Sequence, residues 1–78
     1  MNENQFIKDF ELLFDEVETG TFTLETIFRE QDEWSSLVSL TLIAMVDENY
    51  NVKLSGDDIR NSHTISDVYN KVLVKINV

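Results

Sequence analysis

The run Leu37-Val38-Ser39-Leu40-Thr41-Leu42-Ile43-Ala44-Met45-Val46, entered through the polar turn Glu33-Trp34-Ser35-Ser36, constrains the fold more than any other stretch. It falls well short of the ~20 apolar residues a membrane-spanning helix needs. It therefore belongs to a helix of a folded domain, predicted from about Ser36 to Asn49. Ser35 or Ser36 stands at its N-cap, where a hydroxyl can accept from an amide that has no partner within the helix.

The remaining punctuation is sparse, because proline is absent and the only glycines are Gly20 and Gly56. Phe6, Phe10, Leu13, Phe14 and Val17 recur at helical spacing, opposite Lys8, Asp9, Glu11, Asp15 and Glu16. That pattern predicts an amphipathic helix over about Glu3 to Val17. The connection from Glu18 to Ser35 holds Phe22, Leu24, Ile27 and Phe28, more apolar bulk than a solvated loop needs. It reads as a packed loop with a helical turn at Leu24 to Arg29. An extended connection, Tyr50 to Leu54, leads to a short acidic helical turn at Ser55 to Arg60. The last helix follows Thr64, a good N-cap, with Asp67 at N3 and Ile65, Val68, Tyr69, Val72 and Ile76 as its apolar positions. The expected fold class is all-α: a helical bundle of three main helices plus one short helix, as a single domain over 1–78.

Composition removes several function classes. An apolar fraction of 42% supports a folded core. With no cysteine, neither a disulfide framework nor a thiolate metal site is available, and His63 is the only histidine, read as a turn residue. The net charge of -9, with six basic residues scattered along the chain, argues against nucleic acid as partner, whose phosphates need clustered lysine and arginine. Acidity suggests partners with basic docking surfaces. The acidic N-terminus lacks the features of a secretory signal, so a cytoplasmic monomer with no membrane partner is the expectation. Asp57-Asp58 and Asp32-Glu33 are either loose cation sites or solvated faces, and they lack the spaced oxygen ligands of a calcium loop. No metal site is assigned. No Ser-His-Asp set or glycine-rich phosphate loop stands out, and the chain is not expected to be an enzyme.

Ser36-Leu37 at the head of the long helix resembles the acyl carrier protein family, whose modified serine sits in an Asp-Ser-Leu motif. Ser35 stands where that family has aspartate. The resemblance extends along nearly the whole chain: a long first loop, a serine opening the second helix, the acidic-aromatic close Asp47-Glu48-Asn49-Tyr50, Val52-Lys53-Leu54 and Ser55-Gly56-Asp57-Asp58 into a short helix, and the polar turn Asn61-Ser62-His63-Thr64-Ile65. It implies an acyl-carrier-like bundle with 4'-phosphopantetheine, drawn from coenzyme A by a phosphopantetheinyl transferase, attached to Ser36. Ser35 competes with Ser36 as the attached residue, but Leu37 directly follows Ser36 as the motif requires. Asp32 or Glu33 would have to supply the carboxylate that Ser35 lacks.

The implied function is to hold acyl, or aminoacyl, groups as thioesters and present them to acyl-transferring or acyl-modifying biosynthetic enzymes. Leu37, Val38, Thr41 and Met45 beside the serine, then Asp47, Glu48, Asp57 and Asp58, are the candidate partner-binding residues. In fatty-acid carriers the positions of Val38 and Thr41 are often acidic. Val38 and Met45 have a second reading, as packing against the long loop. Trp34 either covers the base of the arm or anchors the loop to the core. Phe6, Phe10, Leu40, Ile43, Val46, Leu54, Ile59, Val68 and Val72 are the candidate core residues able to shelter an acyl chain. The alternative function is an unmodified carrier-like protein–protein interaction module, favoured by Ser35 in place of aspartate.

Overall fold

A computed structural model describes residues 1–76 and shows a mostly helical fold with four α-helices. They are α1 (Glu3–Glu11), α2 (Ser36–Tyr50), α3 (Gly56–Arg60) and α4 (Ile65–Ile76), with a 3₁₀ turn at Phe28–Glu30. Among the described residues there is no strand, only an isolated antiparallel bridge between Ile27 and Thr64. None of these helices is long and apolar enough to cross a membrane.

Helix α1 packs on α4, and α3 packs on both α2 and α4. All five phenylalanines of the chain are buried. Their rings run in a chain through the core: Phe6 to Phe10 at 6.1 Å, Phe10 to Phe28 at 5.3 Å, and Phe14 edge-on to Phe22 at 5.3 Å. The C-terminal end of α2 joins this cluster through Tyr50, 5.7 Å from Phe6. Burial, and then a hydrogen bond donated to Asp9 at 2.5 Å, push the Tyr50 phenol well above its ordinary range.

The first helix is shorter than its periodicity predicts. It ends at Glu11, and Leu12 is 79% exposed. Side chains distant in sequence take over the backbone here. Glu33 accepts from Asp15 N at 2.8 Å and Glu16 N at 3.0 Å, while Glu11 turns inward to accept from Gly20 N and Phe22 N. Leu13 and Phe14 meanwhile donate to Phe10 O and Glu11 O in tight i→i−3 turns. Gly20, at φ +92, supplies a left-handed conformation that a side chain would strain.

The turn expected at Leu24 to Arg29 is also displaced. Ile27 is extended, and the helical piece starts at Phe28. The reason lies in α4, whose first amides need acceptors. Ile65 N donates to Thr26 O at 3.1 Å and Ser66 N to Leu24 O at 2.8 Å, which holds the loop open and straight. Thr64 Oγ1 accepts from Asp67 N, and Asp67 accepts in return from His63 N and Thr64 N. Helix α3 has its own capping box between Ser55 and Asp58.

These caps make stability depend on acid. The Ser55 amide holds the Asp58 carboxyl below its ordinary range, and the amides of His63 and Thr64 do the same for Asp67. Both groups favour the fold when ionised, so their contribution is full above about pH 4 and is lost as pH falls through the lowered values. The melting temperature should therefore drop between about pH 5 and pH 2. Asp67→Asn, isosteric but uncharged, should melt below the parent near neutrality and converge with it in acid. A gap that persists undiminished in acid would show that the charge on Asp67 is irrelevant.

Candidate functional site

Ser36 is the first residue of α2 and its side chain is exposed. The cap is Ser35, whose Oγ accepts from Val38 N at 3.3 Å. That division leaves the Ser36 hydroxyl outside the capping interaction. The helix also places its positive end beside that hydroxyl, which favours an anion there.

A groove of about 370 Å³ opens at this point, with Ser35, Ser36 and Ser39 on its polar wall. Trp34, Leu40, Ile43 and Ile59 supply its apolar surface. The groove runs between the N-terminal half of α2 and the short α3, from which Gly56 and Arg60 also line it. Trp34 anchors the loop to the core, the second of its two readings. Its indole sits edge-on to Phe28 at 4.8 Å, packed against the core, and it also lines the groove.

The outer face of α2 is apolar but differs from the expected stripe. Val38 and Met45 are half-buried and pack against the core, while Thr41 is exposed and donates its hydroxyl to Leu37 O at 2.9 Å. The side chains that reach solvent are Leu37 and Leu40, 73% and 64% exposed, followed by Thr41 and Ala44. Leu40, expected in the core, is thus corrected to a surface position. Helix α2 carries apolar residues all round its N-terminal half, so periodicity alone does not choose its buried face. The other expected core residues are buried, except that Ile43 is half-buried at the groove.

None of the acidic candidates is among the described residues that line the Ser36 groove. Asp47 pairs with Lys53 at 2.9 Å and Glu48 is exposed, both at the far end of α2. Asp57 is exposed and pairs with Arg60, whereas Asp58 is occupied by the α3 capping box and lies 3.8 Å from Lys75. Of the two carboxylates proposed to stand in for the missing aspartate, Glu33 is engaged by the Asp15 and Glu16 amides and Asp32 is exposed.

Sequence reasoning passed over Arg29 and Arg60. Thirty-one positions separate them, with no motif linking them. Their common location follows from the bundle alone. Arg29 donates Nε to Ser62 O at 2.8 Å and Nη2 to Ile59 O, which ties the 3₁₀ turn to the end of α3. Lys71 completes that junction by donating to Asp58 O and to the buried Ser62 Oγ, each at 2.8 Å. No family model, curated protein or solved structure matches this chain.

Proposed function

We propose that the chain is a carrier of the acyl carrier type, bearing 4'-phosphopantetheine on Ser36 and delivering acyl thioesters to biosynthetic enzymes. One observation carries the reading: an exposed serine, free of capping duty, opens the longest helix at the mouth of a groove between that helix and the next. The fit to the group is good. The groove that Ser36 lines also carries hydroxyls, guanidiniums and apolar side chains. When bound, the group supplies the thiol that a cysteine-free chain lacks.

In attachment, Ser36 Oγ forms the new bond to phosphorus as the pyrophosphate bridge of coenzyme A breaks. Adenosine bisphosphate leaves and the hydroxyl proton passes to a base of the transferase. Thereafter the chain tethers and presents its cargo. Leu37 and Leu40 supply an apolar docking stripe beside the arm. Such a stripe equally serves the second reading, an unmodified interaction module.

The discriminating experiment incubates the protein with coenzyme A, magnesium and a broad-specificity phosphopantetheinyl transferase and records intact mass. The parent should gain one phosphopantetheine and Ser36→Ala none. No gain in the parent, beside a carrier modified in parallel, together with a partner complex formed equally by Ser36→Ala, would replace the carrier with the interaction module.

A further inference from the structure

Arg29 and Arg60 are the only arginines of the chain, and both line the groove that holds Ser36. No carboxylate is among the described residues lining it, although the chain has 15 acidic residues against six basic ones. A cation pair concentrated in one groove of so acidic a protein is not the pattern of a merely solvated surface.

The two guanidiniums are held in different ways. Arg29 is half-buried and its protein partners are the carbonyls of Ser62 and Ile59. Carbonyls fix its orientation without cancelling its charge, and its Nη1 donors remain. Arg60 folds back along α3, with Nη1 3.4 Å from where a Cβ on Gly56 would stand. Its partner Asp57 is not among the groove's lining residues, and the side chains of the pair are 69% and 75% exposed. Such an exposed pair holds its geometry weakly and exchanges readily. Three of the four lysines, by contrast, are engaged elsewhere: Lys53 by Asp47, Lys71 by Asp58 O and Ser62, and Lys75 by Asp58.

We propose that this groove is a phosphoryl subsite, in which the guanidiniums of Arg29 and Arg60 hold the phosphate esterified to Ser36. The inference rests on the carrier reading for the identity of the ester, a phosphodiester. The cation pair requires only a phosphoryl group on the Ser36 hydroxyl.

Phosphoserine placed at position 36 by an expanded genetic code tests the subsite without any transferase. The arginine Nε–Hε resonances of both residues should move relative to the same protein after phosphatase treatment. The second ionisation of the phosphate, followed by phosphorus NMR, should fall below its ordinary value of about 6. Arg60→Gln should raise that ionisation, while Lys53→Gln, a distant charge change of the same size, should leave it unmoved. Stationary arginine resonances, or an ionisation at the ordinary value and indifferent to Arg60→Gln, would overturn the subsite. Enzymatically prepared phosphopantetheine-bearing protein should show the same arginine shifts. Failure of the transferase to modify either the parent or Ser35→Asp protein, with phosphoserine still moving both arginines, would sink the carrier reading and leave the subsite standing.

Discussion

Ser35→Asp protein is expected to accept phosphopantetheine at least about tenfold faster than the parent, a transition-state gain of roughly 1.4 kcal/mol. The resemblance to acyl carriers implies that a carboxylate immediately before the serine helps present the metal ion and coenzyme A to the transferase. This chain has a hydroxyl there, committed to the Val38 amide. Glu33 is unavailable as a substitute while both of its oxygens accept from Asp15 and Glu16. Aspartate is as good an N-cap as serine and its charge suits the helix N-terminus, so stability should change by less than about 0.5 kcal/mol. Rates followed by intact mass, beside thermal melts, separate the two effects. A gain below about twofold would mean that the exposed Asp32 already supplies the carboxylate, and Asp32→Asn would then collapse the parental rate.

How much of this was legible in the sequence depends on whether the controlling contacts are local. The cap of α4 was legible, and that of α2 was narrowed to Ser35 or Ser36, because Thr64 and Ser35 act on amides within three residues of themselves. The place of Ser36 at the head of α2 was legible for the same reason, since it is set by its own helix. The end of α1 was not. Its hydrophobic spacing continues to Val17, and what stops the helix is Glu33 and Glu11 capturing amides from the following loop. Helix α2 failed in a different way: leucines at positions 37, 40 and 42 fit several faces, and only packing decides that Leu42 is buried while Leu37 and Leu40 are not. The arginine pair is the extreme case, because its two members line one groove only once Arg29 has reached the carbonyls of Ile59 and Ser62.

Glu11→Ala is expected to destabilise the fold by about 3 kcal/mol, and Glu11→Gln by only about 1 kcal/mol. Glu11 is 4% exposed, a buried carboxylate with no cation partner in ion-pair range among the described residues. Its Oε2 accepts from Gly20 N at 3.0 Å and Phe22 N at 2.9 Å, whereas Oε1 makes only a 3.3 Å contact with Gly20 N. Glutamine can set its carbonyl oxygen in the Oε2 position and keep both close bonds, losing the assistance of the charge. Alanine leaves two amides without acceptors, one of them buried. In a chain of this size, with a total stability of roughly 4–12 kcal/mol, the alanine variant should melt some 15 °C lower. The consequence should reach the site as well. Glu11 fixes the strand of chain that carries Phe22, Phe22 lies 6.5 Å from Phe10, Phe10 packs on Phe28, and Phe28 meets Trp34 in the wall of the Ser36 groove. Tryptophan fluorescence should therefore shift in Glu11→Ala at temperatures where the protein is still folded. Equal losses for the two variants would show that the charge, not the accepting oxygen, does the holding, and an alanine loss below about 1 kcal/mol would show that the loop is set by its phenylalanines alone.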